Sequence, residues 1–180
     1  GRLSERFTLL RGKMRSQNAL ALHAALNWSW NLLSEYSQDT FVQCRSFLGG
    51  FTIQQAESVI DLTLYPNAPS VLDILEAMYD DNLLVKERQK DGSYRYGMLL
   101  SISDFVLQKA SASNWSPLLA DTRERHAAYF ATQYVNLNES NDSQILTFLS
   151  IELDNYVSAV HFGQPIEAFE CCKATLNYYK

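Results

Sequence analysis

Apolar positions over residues 19–33 recur at helical spacing. Leu22, Leu26, Trp30 and Leu33 stand at i, i+4, i+8 and i+11, one face of a helix. Trp28 and Leu32 widen that stripe, so this first helix is expected to be well buried. Ser34 is placed to cap a second helix, with Glu35 in its electropositive first turn. Phe41, Val42, Cys44, Phe47 and Leu48 form its apolar side, and Gly49–Gly50 is expected to stop it. Thr52-Ile-Gln-Gln55 reads as a capping box that opens a short helix through Ile60. After a loop holding Pro66 and Pro69, Ser70 caps another helix, with Val71, Leu72, Leu75, Met78 and Tyr79 expected inward.

The period then switches. Two strands, Leu83–Arg88 and Ser93–Leu99, flank Asp91-Gly92, a strong hairpin signal because glycine tolerates positive φ. Tyr94, Tyr96 and Met98 alternate with Arg95, as in a half-buried strand. Helical spacing returns after Ser101 with Ile102, Phe105 and Val106. Ser111–Pro117, SASNWSP, is a polar break and the best domain boundary. Beyond it the pattern is helical throughout. Leu118–Leu137 places Ala127, Phe130, Ala131 and Tyr134 on one face, and Asn138–Ser143 is a turn. Ile145, Leu149, Leu153, Tyr156 and Val160 line the next helix, which Gly163 ends before Pro165 opens a last one. Helix pairs joined by short turns suit the start of a tetratricopeptide-like array.

The chain has 180 residues, 47% hydrophobic and 19% charged, an ordinary globular balance. Its net charge of −5 is uneven: Gly1–Arg15 carries a net +4, which leaves −9 for the rest. That basic stretch is expected to pack on a neighbouring domain. The chain starts at Gly1 rather than at a methionine, as an excised fragment would, and the start shows no apolar leader. No apolar run is long enough for a membrane span. Cys44, Cys171 and Cys172 form neither a disulfide framework nor a metal pair, so a reducing, cytoplasmic setting is expected. Four Asn-x-Ser triplets, at Asn27, Asn114, Asn138 and Asn141, then carry no meaning.

Catalytic motifs are absent. Gly12-Lys13 is followed by Met14 and lacks the upstream glycine of a P-loop. There is no GxSxG elbow, no HExxH and no Cys/His metal cluster. His23, His126 and His161 sit singly in helical stretches, without the nucleophile and orienting group that a general base needs. Asp80–Asp81 is a solvated helix end, since adjacent residues on a helix do not face one another.

Five segments in order carry a family likeness: RLSERFTLL (Arg2–Leu10), LNWSWNLLS (Leu26–Ser34), FLGGFTIQQAE (Phe47–Glu57), VLDILEAMYDDNLLV (Val71–Val85) and YRYGMLLSISDFV (Tyr94–Val106). They resemble the winged-helix domain that follows the nucleotide-binding module in NB-ARC/STAND-type signalling ATPases of the bacterial regulator branch. Arg123–Phe130 and Leu153–Phe162 are similar to its junction with helical repeats. The resemblance implies a mainly α fold, a winged helix with one β-hairpin followed by tetratricopeptide-like helical hairpins. It divides the chain into 1–17, the tail of an ATPase lid region; 18–112, the winged helix; and 118–180, the helical segment. The P-loop domain would lie upstream, so ATP or ADP belongs there and no cofactor is expected in this chain. The resemblance also aligns Met98, Leu99 and Leu100 with a Met-His-Asp nucleotide sensor. The histidine is missing, and a leucine cannot donate a hydrogen bond to phosphate.

Two functions follow. One is a non-catalytic regulatory module, contacting the upstream nucleotide-binding domain and presenting helical repeats to protein partners. The other is a winged helix that reads DNA. The helix at Ser70–Asp81 would be the reader, yet it holds Asp73, Glu76, Asp80 and Asp81 and no cation. Phosphate contacts dominate DNA affinity, so these carboxylates oppose docking. Lys86, Arg88, Lys90 and Arg95 of the wing are candidates for weak nucleic-acid contacts only. The regulatory reading is therefore preferred.

Overall fold

A computed structural model describes residues 19–89, 92–111, 115–137 and 142–179, and they form a mainly helical molecule with one small antiparallel hairpin. The basic stretch Gly1–Arg15, Lys90 and Asp91, and most of the turn expected at Asn138–Ser143, lie outside the described residues.

Helix α1 spans 19–32. Its buried face is narrower than the apolar stripe. Leu26 and Trp30 are buried, whereas Leu22, Trp28 and Leu32 are exposed, Trp28 by 68%. Positions two apart on a helix lie about 200° round its axis, so Trp28 and Leu32 fall opposite Trp30. Trp30 is held among Phe41, Phe105 and Trp115, whose rings lie 6.2, 6.0 and 5.0 Å away.

Ser34 caps α2 (Glu35–Cys44), its hydroxyl accepting from the Ser37 amide. The helix ends before Gly49–Gly50. Its last turn tightens through Ser46 N to Gln43 O and Phe47 N to Cys44 O, at 3.1 and 3.2 Å, which uses up the end carbonyls. The glycine pair instead leads into Phe51, which exchanges two backbone hydrogen bonds with Tyr96. The capping box forms as expected at α3 (Ile53–Val59): Thr52 Oγ accepts from Gln55 N, and Gln55 Oε1 accepts from Thr52 N.

Ser70 caps α4 (Val71–Asp80), which buries Ile74, Leu75 and Met78 while Leu72 and Tyr79 stay exposed. Asn82 then takes φ 58°, and the amides of Leu83 and Leu84 fold back onto Met78 O. Strands β1 (Val85–Arg88) and β2 (Tyr94–Gly97) pair antiparallel, Val85 opposite Gly97 and Arg88 opposite Tyr94. Gly92 closes the turn at φ 87°. Four helices complete the chain: α5 (Leu100–Ser111), α6 (Trp115–Leu137), α7 (Asp142–Phe162) and α8 (Pro165–Tyr178).

Helices α6, α7 and α8 pack on one another, and α6 also lies against α2, α3 and α5. One hydrophobic core therefore runs from Leu26 and Trp30 through Phe51, Leu75 and Phe130 to Tyr156 and Ala174. Gln43 marks the centre of that contact: it pairs with both backbone groups of Asp61 and accepts from Arg125 Nη2 at 2.9 Å. Among the described residues no helix is long and apolar enough to cross a membrane.

Candidate functional site

Helix α4 and the hairpin form the face on which the wing cations were expected. Lys86, on β1, reaches back to α4 and pairs with Glu76 Oε1 at 2.5 Å. The Tyr96 hydroxyl donates to the same oxygen. Tyr94 and Tyr96 place their rings 4.6 and 5.3 Å from the Lys86 ammonium, so its charge is engaged on several sides. The hydrogen bonds from Lys86 and Tyr96 hold the Glu76 carboxyl below its usual range, and the bond to Glu76 raises Lys86. Burial, and then Glu76, pushes the Tyr96 phenol up. Arg88 is exposed at the end of β1. The outer face of α4 carries Asp73, Asp80 and Asp81, all exposed.

Arg95 points the other way. Its Nη1 and Nη2 donate to the two Glu152 oxygens at 2.6 and 2.7 Å, and Nε and Nη2 donate to the carbonyls of Gly49 and Gly50. Glu152, 3% exposed on α7, also accepts from Gln55 Nε2 at 2.9 Å and Asn155 Nδ2 at 2.7 Å. Asn155 Nδ2 bonds Gly50 O as well. This buried carboxylate thus ties together the glycine loop, α3, β2 and α7, with its charge matched by Arg95 and its lone pairs filled. β2 is flanked by β1 on one side and Phe51 on the other, and Arg95, expected as a weak nucleic-acid contact, lies under α7 instead.

Sequence reasoning missed Glu152, Asn155 and Gln55 as a set. One signal was available: Glu152 interrupts the apolar stripe between Leu149 and Tyr156, at i+3 from one and i−4 from the other, a position that faces the core. Met98, Leu100 and Arg95 are brought together, lining a cleft of about 410 Å³ with Arg45 and Glu87. Leu99 and Leu100 are exposed, and Met98 is partly buried. Lys86 and Arg88 do not reach this cleft's lining.

The remaining candidate groups are dispersed. His23 bonds Gln108, His126 is buried between Phe47 and Phe130, and His161 lies edge-on to Phe162. Burial depresses His126 to about 4, only partly offset by the influence of the Asn155 side chain. Burial raises Cys171 to about 12 and pushes Cys44 up as well, so neither thiol is primed as a nucleophile. Among the described residues no cluster of His, Cys, Asp or Glu could hold a metal ion.

Proteins named "Putative HTH-type transcriptional regulator", one from Mycobacterium bovis and two from strains of Mycobacterium tuberculosis, each match this chain at 32% identity over 165 residues. The match covers 87% of the chain but only 18% of each relative, so the chain spans about a fifth of their length. No family model matches the chain, and no solved structure matches it. The chain is similar to a segment of proteins named as transcriptional regulators.

Proposed function

We propose that this chain works in transcription regulation, as a non-catalytic segment of a longer helix-turn-helix-type regulator. The similarity to the mycobacterial proteins supports that role. Within it, the hairpin and α4 act as a coupling surface toward other parts of the regulator. One observation carries this: two wing cations are neutralised internally, Lys86 by Glu76 and Arg95 by Glu152, beneath a helix whose outer face is acidic. A surface built that way gains little from DNA phosphates.

Direct DNA reading by α4 and the hairpin is the second reading, favoured by the helix-turn-helix name of the relatives. Fluorescence anisotropy with random and candidate-promoter duplexes, at physiological salt, separates the two. The coupling reading expects weak, salt-sensitive binding without sequence preference; nanomolar affinity with strong discrimination establishes the second reading instead. Changing Asp73 and Asp80, both exposed on the outer face of α4, to Lys should strengthen any weak binding.

The finer version, in which an upstream P-loop ATPase drives this module and helical repeats continue beyond 180, rests on the sequence resemblance. The reading frame that flanks Gly1 and Lys180 tests it: a P-loop upstream supports it, and a frame without one removes it.

A further inference from the structure

Helix α1 has a second apolar face. Leu20, Ala24, Trp28 and Leu32 stand at i, i+4, i+8 and i+12, on the side opposite the buried Leu26 and Trp30. All four are exposed, and Leu20, Trp28 and Leu32 are so by 71%, 68% and 66%. The solvent face of a helix ordinarily carries charge. This one carries none: residues 16–34 hold no Asp, Glu, Lys or Arg, the longest such run in the chain. Single exposed leucines are ordinary, but a continuous uncharged row around a tryptophan marks a contact surface.

The row also fits itself. Two α1 helices laid antiparallel about a twofold axis level with residue 26 set Leu20 against the partner's Leu32, and Ala24 against the partner's Trp28. Each bulky indole then meets the one small residue of the row, twice over, as an isologous contact requires. Charge favours the same occupant. Two bodies of net charge −5 repel where their acids face each other, and the uncharged row is where they can approach. The area sets the strength. A helix of this length is about 21 Å long. Pairing two such faces buries roughly 1,000 Å² in total, near the lower bound for a specific contact, so the association is weak and reversible.

We propose that the outer face of α1 is a self-association surface, on which a second copy of this chain docks antiparallel through its own Leu20–Leu32 row.

Sedimentation equilibrium of the whole chain at physiological salt, up to about 500 µM, tests the surface without any variant. The mass should rise from 20.5 kDa toward twice that value, with a dissociation constant on the order of 100 µM. Trp28→Ala and Ala24→Glu should each weaken association about tenfold or more. Leu64→Ala, at a leucine 80% exposed and away from α1, should leave it unchanged. Leu20→Glu and Leu32→Lys should each be monomeric alone, and mixing the two should restore association, because the antiparallel register sets the new carboxylate against the new ammonium. These positions are exposed, and the circular dichroism of dilute samples should match that of the unaltered chain. A mass of 20.5 kDa at every concentration overturns the proposal and assigns the face to another part of the regulator. Undiminished association in Trp28→Ala or Ala24→Glu, or no recovery on mixing, overturns it as well.

Discussion

Arg95 on the hairpin and Glu152 on α7 lie 57 positions apart and meet through two hydrogen bonds of 2.6 and 2.7 Å, in a place where Glu152 is nearly inaccessible. Removing one partner strands the other charge. Glu152→Gln or Arg95→Met should cost about 3–5 kcal/mol. The double variant should recover part of that loss, and urea unfolding of all four proteins in a double-mutant cycle measures the coupling.

The two tryptophans of α1 have opposite surroundings. Trp30 is 3% exposed and packed among three aromatic rings, so Trp30→Ala should cost about 3–5 kcal/mol. Trp28 faces outward, and Trp28→Ala should shift stability by less than about 0.5 kcal/mol. Denaturant midpoints of the two variants check the contrast.

Among the described residues two glycines have positive φ, with different neighbours. A Cβ on Gly50 would lie 2.6 Å from Tyr96 O, inside the bridge that joins Phe51 to β2, whereas at Gly92 the nearest atom is a flexible Arg88 nitrogen at 3.9 Å. Alanine should cost about 1 kcal/mol at Gly92 and at least about 3 kcal/mol at Gly50, where backbone must move. Thermal unfolding ranks them.

His126 makes stability depend on pH. Its folded pKa, about 4, lies below the ordinary 6.5, so between these values the unfolded chain binds a proton that the folded chain refuses. The contribution is intact at neutral pH and is lost as pH falls from 6.5 through 4, up to about 3 kcal/mol. His126→Gln should flatten the stability profile in that window relative to the unaltered protein, as followed by urea midpoints at half-unit steps.

Local signals were read well where they were chemically complete. Thr52 and Gln55, Ser34 and Ser70, and the Gly163–Pro165 stop and start fix helix ends through a few adjacent atoms, and each forms as expected. Gly49–Gly50 misled because glycine serves a close approach here: Gly50 lies against Tyr96, and α2 has already ended. Trp28 misled because a stripe on both sides of a helix does not say which side has a neighbour. Arg95 and Glu152 were hidden for a different reason. Their pairing depends on α7 crossing beside the glycine loop, and nothing in the spacing of either segment specifies that.

Trp115 begins α6 inside Ser111–Pro117, the stretch that marked a boundary in the sequence, yet it sits edge-on to Trp30 of α1 and donates its Nε1–H to Asp39 of α2 at 2.6 Å. The segments before and after that stretch share side chains, as they do at Gln43 and Glu152. They should therefore lose structure in one cooperative transition, with calorimetric and van't Hoff enthalpies that agree. A force applied at the hairpin would then turn the whole body like a lever, rather than bending one lobe against another.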